Sequence, residues 1–447
     1  MKNIFSKLTK NEDLKQSLLR SWAMSWPMIL IMFFEFLIQL ADVIIAGKIG
    51  KEIQATYGFV TQIYFIFTVI GNAFTIGTVS VISRLCSLRG NQEYKNAIYS
   101  SLLSSATAGA ILAVAGIILS PRIIRLMSIP DELKNYGAPL LVIYAGGALF
   151  HYILITTNGI LRACQGIKKS LKTMALASLI NVTLNIIFVF YTPLGYKGIA
   201  LSTAISVAVG ALVNLGHLRE YLFGIKNYTK SVIVKIVKIG WPSGLLQITW
   251  QISTTVLFLI LGSLPENNVE IIAAFTNGYR IEAIIFLPAF ALNMANAVVI
   301  GNLMGEDNTD GAFKNGQITA LLGLGIVALL STTIILNARW ILSFLSDNQT
   351  VIDYSVKYIF ISLPFEPVMA WGVILAGGLN GAGDTKSVMI RVALSVWLVR
   401  VPFSFIFGIL LGWGAYGVWW AMNASLLVQA ILISERYWKR RWLKNAI

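Results

Sequence analysis

Apolar residues run along this chain in long blocks, separated by short clusters of charged residues, Gly, Asn and Pro. The blocks lie near residues 21–46, 56–82, 95–119, 137–161, 170–191 and 196–218, then 238–262, 271–300, 316–337, 355–379, 387–410 and 415–435. A helix needs roughly 20 apolar residues to cross the hydrocarbon core of a bilayer. The pattern therefore predicts an all-α polytopic membrane protein with twelve transmembrane helices. Ahead of the first block, residues 1–20 contain no apolar stretch of the kind a cleaved signal peptide requires. Thr9 to Glu12 fits a capping box there, and Ile4, Phe5, Leu8, Leu14, Leu18 and Leu19 could line one side of an interfacial helix.

The twelve blocks divide into two sets of six that can be laid on each other. Trp26-Pro27 matches Trp241-Pro242 and Gly47 matches Gly262, both 215 residues apart. Tyr94-Lys95-Asn96 answers Phe313-Lys314-Asn315, and Gly195, Gly198 and Ser206 answer Gly414, Gly417 and Ser425, all at 219. Two hydrophobic halves that merely look alike would not keep Pro, Gly and Lys-Asn at fixed offsets. Six spans per repeat bring both repeats into the membrane in the same sense, so a pseudo-twofold axis along the membrane normal is expected, with a central cavity at the seam. The expected organisation is an N-terminal lobe over 1–222, a cytoplasmic linker over 223–237 and a C-terminal lobe over 238–447.

Composition narrows the class further. Of 447 residues, 56% are hydrophobic and only 12% charged, with a mean hydropathy of +0.73; a soluble enzyme carries about twice that charge. Two cysteines and two histidines exclude a disulfide framework and a clustered site of soft metal ligands. The net charge of +15 would suggest nucleic acid in a soluble protein. Here, with the N-terminus placed inside, 25 Lys and Arg fall on the inner side and 8 on the outer. The basic excess is topological, both termini are expected in the cytoplasm, and no nucleic-acid partner is expected.

Ionisable groups within spans are expensive and mark function by default. They are Glu35, Asp42, Arg280, Glu282, Glu366 and Arg400, with His151 near the middle of the fourth span. Glu35, Gln39 and Asp42 project within roughly 60° of one another on a 3.6-residue helix and form one polar stripe. Asn158 of the fourth span, Asn181 and Asn185 of the fifth and Thr203 of the sixth add oxygen donors suited to a hard cation or a protonated carboxyl. Interhelical hydrogen bonding is the competing role for such residues. In the second half, Pro364 and Pro367 flank Glu366 and should disturb the tenth helix beside it. Static pairs of Glu366 with Arg400 and of Glu282 with Arg280 are the alternative to a cavity role. Trp250 is among the aromatics that could stack on a flat or cationic ligand.

These segments resemble the multidrug and toxic compound extrusion (MATE) transporters along essentially the whole chain. The resemblance is carried by LADVIIAGKIG with Asp42, TVSVISRLCSLRGNQEYKNA after the second span, NGILRACQG after the fourth, and LGYKGIALSTAIS opening the sixth. GYRIEAIIFLPAFALNMANAVVIGNLMGE in the eighth span and LNGAGDTKS after the tenth complete it. It implies an antiporter that exports cationic and amphipathic drugs from the cell by alternating access, driven by inward H⁺ or Na⁺, with no other cofactor, acting in the cell membrane as a monomer.

In the DinF-like branch, which the N-terminal half looks closest to, coupling uses an Asp of the first span, an Asn and an Asp four apart in the fifth, and a Thr in the sixth. Asp42, Asn181 and Thr203 match, and would be the ligands of any Na⁺. Asn185 stands where the second Asp is expected, and Glu35 where that branch often has Gln. The NorM-like branch has a Glu on the seventh span where this chain has Trp250. Cys86 occupies a position usually held by Gly. The expected substrate foothold is Glu366, Glu282, Arg280, Arg400 and Trp250. A flippase for a lipid-linked sugar or lipid, from the same superfamily, is the alternative; two intramembrane arginines offer little to a polyanionic cargo. A membrane-embedded enzyme would need a metal cluster or a nucleophile with its base, which a lone His151 does not supply.

Overall fold

The computed structural model describes residues 11–86, 91–127, 130–164, 166–223 and 226–444. Twelve helical segments are long and apolar enough to span a bilayer. In the first half these are α1 (Asn11–Ile49), α2 (Lys51–Leu85), α3 (Gln92–Leu126), α4 (Asp131–Ala163), α5 (Ile167–Phe190) and α6 (Lys197–His217). In the second they are α7 (Lys230–Gly262), α8 (Asn268–Gly305), α9 (Thr309–Leu336), α10 (Gln349–Gly381), α11 (Thr385–Leu410) and α12 (Gly414–Trp438). All twelve expected spans are present, and several helices overrun their apolar blocks by a few turns. From Asn11 onward the expected interfacial helix is the beginning of α1; Ile4, Phe5, Leu8 and Thr9 lie outside the described residues.

Two helices depart from regular geometry where proline predicts it. In α10 a 3₁₀ turn over Leu363–Phe365 precedes the α-helix that opens at Glu366, because Pro364 and Pro367 have no N–H to give to the ladder. In α11, π-helical turns over Ser395–Arg400 and Ile406–Leu410 flank Pro402, the local rewinding that marks many functional helices.

The chain divides into two compact units, Leu30–Gly244 and Met1–Ile29 with Leu245–Ile447. The boundaries of these units fall inside α1 and α7, whereas the sequence reading divides the two lobes at the connection over 223–237. Ile29 and Gly244 are 215 residues apart, the same offset as the Trp-Pro pairs. The physical reason is close helix packing. A Cβ on Gly240 would sit 2.2 Å from the Ala73 carbonyl oxygen, and one on Gly77 2.1 Å from that of Ile236, so only glycine lets the start of α7 lie against α2. In the other unit the start of α1 is held by Ser21, whose hydroxyl lies 2.7 Å from that of Thr319 on α9, and by Met24, which packs on that unit's core.

Within each unit the repeat is visible as repeated contacts. Gly159 of α4 meets Thr75 and Val79 of α2, and Gly378 of α10 meets Asn296 and Ile300 of α8. Gly198 packs on Phe188, and Gly417 on Phe407. The core of the Leu30–Gly244 unit around Ile45, Tyr57, Val60, Leu140, Leu141, Tyr144, Ile199 and Ala200 surrounds the first carboxylate considered below.

Candidate functional site

Asp42 of α1 is 2% exposed, and four other helices of the same unit aim donors at it. Thr203 Oγ1 on α6 donates to Oδ2 at 2.9 Å, and Asn185 Nδ2 on α5 to Oδ1 at 2.5 Å. Asn181 Nδ2, one turn earlier on α5, reaches Oδ1 at 3.5 Å and Thr203 Oγ1 at 3.0 Å. The hydroxyls of Tyr57 on α2 and Tyr144 on α4 each stand 3.5 Å from Oδ2. The spacing of 181 and 185 stacks both amides on one helix face.

A buried carboxylate is tolerated only when hydrogen bonds or an opposite charge compensate it. Here five polar donors surround it, and no cationic side chain is among them. The Oδ1 atoms of Asn181 and Asn185 are themselves buried without a hydrogen-bond partner. Two orphan carbonyl oxygens, a carboxylate, and threonine and tyrosine hydroxyls make an oxygen-only donor set of the sort hard cations take. The same set can hydrogen-bond a protonated carboxyl, since each Asn amide can present either its oxygen or its nitrogen.

Other residues of the expected coupling set stand apart from Asp42. Glu35 and Gln39 are exposed, and neither is among the described hydrogen-bond partners of Asp42. The helical wheel puts them on the same side as Asp42, but a rise of 1.5 Å per residue carries Gln39 about 4.5 Å and Glu35 about 10 Å along the axis. Glu35 has Arg162 of α4 as its electrostatic neighbour; that arginine, 8% exposed, was counted from sequence as a loop cation. Asn158 belongs to a separate knot, its Oδ1 accepting from Ser170 at 2.6 Å and from Asn214 at 2.8 Å, which is the interhelical role. Tyr57 and Tyr144 were missed in the sequence. The one available signal was that a tyrosine in an apolar span must find a hydroxyl partner when buried.

The second unit holds a different cluster. Glu282 of α8 accepts a 2.6 Å hydrogen bond from Tyr358 of α10, and Glu366, 1% exposed, leaves Oε2 without a partner. Arg400, 5% exposed, donates from Nε to Ser425 Oγ on α12 at 2.9 Å and lies 4.4 Å above the ring of Trp250. Its electrostatic neighbours include Glu282, Tyr358, Tyr279 and Glu366. Among the described residues, no ion pair within 4 Å involves Glu282, Glu366, Arg280 or Arg400. The static pairs expected as an alternative are therefore not formed. Arg280 is exposed, two residues from Glu282 and so on another side of α8, and does not join the group.

Known proteins share this architecture. The solved outward-facing conformation of a multidrug resistance MATE family transporter of the MOP superfamily aligns with a TM-score of 0.89 at 22% identity, over 96% of this chain and 97% of that one. A MOP superfamily transporter from Pyrococcus furiosus aligns with a TM-score of 0.87 at 21% identity, over 96% and 97%. The uncharacterized transporter YisQ of Bacillus subtilis is 21% identical over 438 residues, 95% of each chain. The probable multidrug resistance protein NorM of Thermotoga maritima is 22% identical over 432 residues, 92% of this chain and 90% of that. The MatE family profile matches residues 27–187 and 242–406, once on each repeat, and the chain belongs to that family of multidrug and toxic compound extrusion transporters.

Proposed function

We propose that the protein is a secondary antiporter of the plasma membrane that exports small amphipathic, mostly cationic compounds. H⁺ or Na⁺ entry drives the export, and Asp42 is the coupling carboxylate. The observation that carries this reading is the surrounding of Asp42 by polar, uncharged donors with two orphan amide oxygens beside it. A basic side chain beside it would hold this carboxylate permanently charged; uncharged donors alone leave it able to take up and release a cation. Relatives named as multidrug resistance proteins support the substrate class.

When Na⁺ binds, the carboxylate of Asp42 with the oxygens of Asn181, Asn185 and Thr203 would hold it, and the ion would supply the positive charge the site lacks. Neutralisation removes the demand for converging donors, so α1 is free to shift. Pro27 lies on that helix and interrupts its hydrogen-bond ladder. Cation binding then selects between arrangements of α1 through its differential affinity for them. In the other unit, Glu366 and Glu282 give a cationic substrate its electrostatic foothold, with the Trp250 ring under Arg400. The protein acts as a monomer with both termini in the cytoplasm.

The test is dye efflux from proteoliposomes with pH and Na⁺ gradients imposed separately. Asp42→Asn should abolish gradient-driven efflux and leave folding and dye binding intact. Normal transport by Asp42→Asn with a dead Glu35→Gln would move the coupling role to Glu35. Normal transport by both under both gradients would end the reading.

A further inference from the structure

The only two cysteines of the chain occupy equivalent places. Cys86 is the C-cap of α2 and Cys164 the C-cap of α4. The two helices advance side by side in the same direction: Gly71 meets Tyr152 and Ile155, and Gly159 meets Thr75 and Val79, so residues 80 to 84 apart in sequence face each other. Cys86 and Cys164, 78 apart, therefore lie within about one to two turns of each other along the ends of neighbouring helices. A third residue joins them. The hydroxyl of Tyr94, fully buried at the start of α3, lies 2.5 Å from Cys164 Sγ and within electrostatic reach of Cys86. Neither sulfur is in a disulfide; Cys86 is buried and Cys164 half-buried.

We propose that Cys86 and Cys164 form an oxidation-sensitive thiol pair, which a peroxide converts into an intramolecular disulfide that staples the ends of α2 and α4 and slows transport. The more open sulfur, Cys164, attacks as thiolate: an S–O bond forms, the O–O bond breaks and hydroxide leaves, taking up the thiol's proton as water. Tyr94 is placed to donate to that thiolate. Cys86 then attacks the Cys164 sulfur, the S–O bond breaks, the S–S bond forms and a second water leaves. Two thiols are oxidised and one peroxide is reduced to two waters, and added thiol reverses the step by exchange. Helix C-termini yield more readily than interiors, so drawing the sulfurs together disturbs only a last turn. Both cysteines lie at the side that the basic-residue bias assigns to the cytoplasm, where thiols are kept reduced, so the bond forms on oxidation and is not a standing staple. The slowing rests on the coupling reading, because α2 and α4 carry Tyr57 and Tyr144, the two tyrosines on Asp42; the formation of the bond does not.

The experiment exposes the purified protein in proteoliposomes to hydrogen peroxide, then counts free thiols and maps peptides without reduction. Both thiols should vanish together, the intact mass should fall by two hydrogens, and the peptides bearing 86 and 164 should be joined until dithiothreitol is added. Cys86→Ala and Cys164→Ala should each keep one thiol or overoxidise it, with no internal crosslink. Dye efflux should drop several-fold on oxidation, recover with dithiothreitol, and be insensitive to peroxide in Cys86→Ala. Independent oxidation of the two sulfurs to acids, with no joined peptide, would overturn the pair. A complete crosslink with unchanged efflux would overturn its control of transport.

Discussion

Replacing Asn185 by Asp would place a second carboxylate against the first, and the structure sets the size of the effect. Asn185 Nδ2 now stands 2.5 Å from Asp42 Oδ1. In Asn185→Asp that donor becomes an acceptor, and the two carboxylates relax to a separation of about 4 Å, where like charges repel by about 4 kcal/mol at an effective dielectric of about 20. A monovalent cation between them relieves that repulsion, so cation affinity should rise by as much as about a thousandfold, and by at least about tenfold if water screens the site. The same energy must be returned when the ion leaves, so maximal turnover should fall wherever release limits the cycle.

The assay is dye efflux at a series of Na⁺ concentrations and, separately, a series of pH values, with calorimetric Na⁺ binding alongside. Asn185→Asp should reach half-saturation at far lower cation concentration, whereas Asn185→Ala, which removes the donor without adding charge, should not. An unchanged half-saturation for both cations in a folded, dye-binding Asn185→Asp protein would refute the assignment of this cluster as the cation site.

Other expectations follow from the same geometry. Glu366→Gln should weaken binding of cationic dyes by about ten- to a hundredfold, the worth of one partly screened charge at short range. It should leave neutral compounds within about twofold, read by fluorescence titration; equal losses for both classes would mean a packing role. Gly240→Ala forces a Cβ towards the Ala73 carbonyl and should cost about 1–3 kcal/mol, seen as a lowered melting temperature, with the exposed Gly216→Ala as a neutral control. A cysteine introduced at position 226 should be labelled by impermeant maleimide in inverted vesicles and not in intact cells; the reverse would invert the topology.

The membrane-spanning architecture was legible because the bilayer imposes its own ruler: a run of about 20 apolar residues admits few readings. Asp42, Asn181, Asn185 and Thr203 were legible through motif resemblance, and the structure brings all four together. Tyr57 and Tyr144 were not, since a tyrosine in an apolar span looks the same whether its hydroxyl meets a carboxylate or a carbonyl. Glu35 and Gln39 show the limit of the helical wheel, which reports angle and is silent about height. The unit boundaries inside α1 and α7 leave no mark in hydropathy, which shows where a helix ends, not where along its length it changes neighbours. The signal lay in the repeat itself, as the matched Trp-Pro pairs fall within three residues of Ile29 and Gly244.

The repeat also accounts for the difference between the two clusters. Offsets of 219 place Arg400 at the position equivalent to Asn181, Met422 at that of Thr203 and Ser425 at that of Ser206. At one site of a shared scaffold the first unit thus offers an amide oxygen beside a carboxylate, and the second offers a guanidinium near two. A guanidinium keeps its proton under all physiological conditions, so Arg400 supplies permanently the positive charge that the Asp42 cluster could only acquire from solution. A site holding its own fixed cation has little electrostatic need of a coupling ion, and the proposed substrate role of Glu282 and Glu366 would use the carboxylate that Arg400 leaves uncompensated. The duplication preserved helix packing, visible in Gly198 on Phe188 and Gly417 on Phe407. Divergence at the position shared by Asn181 and Arg400 would separate ion coupling from substrate binding. The substitution Arg400→Asn should then let monovalent cations compete with cationic dyes for the second unit, a competition the native protein should not show; its absence in the variant would mean that Arg400 does not stand in for a bound ion.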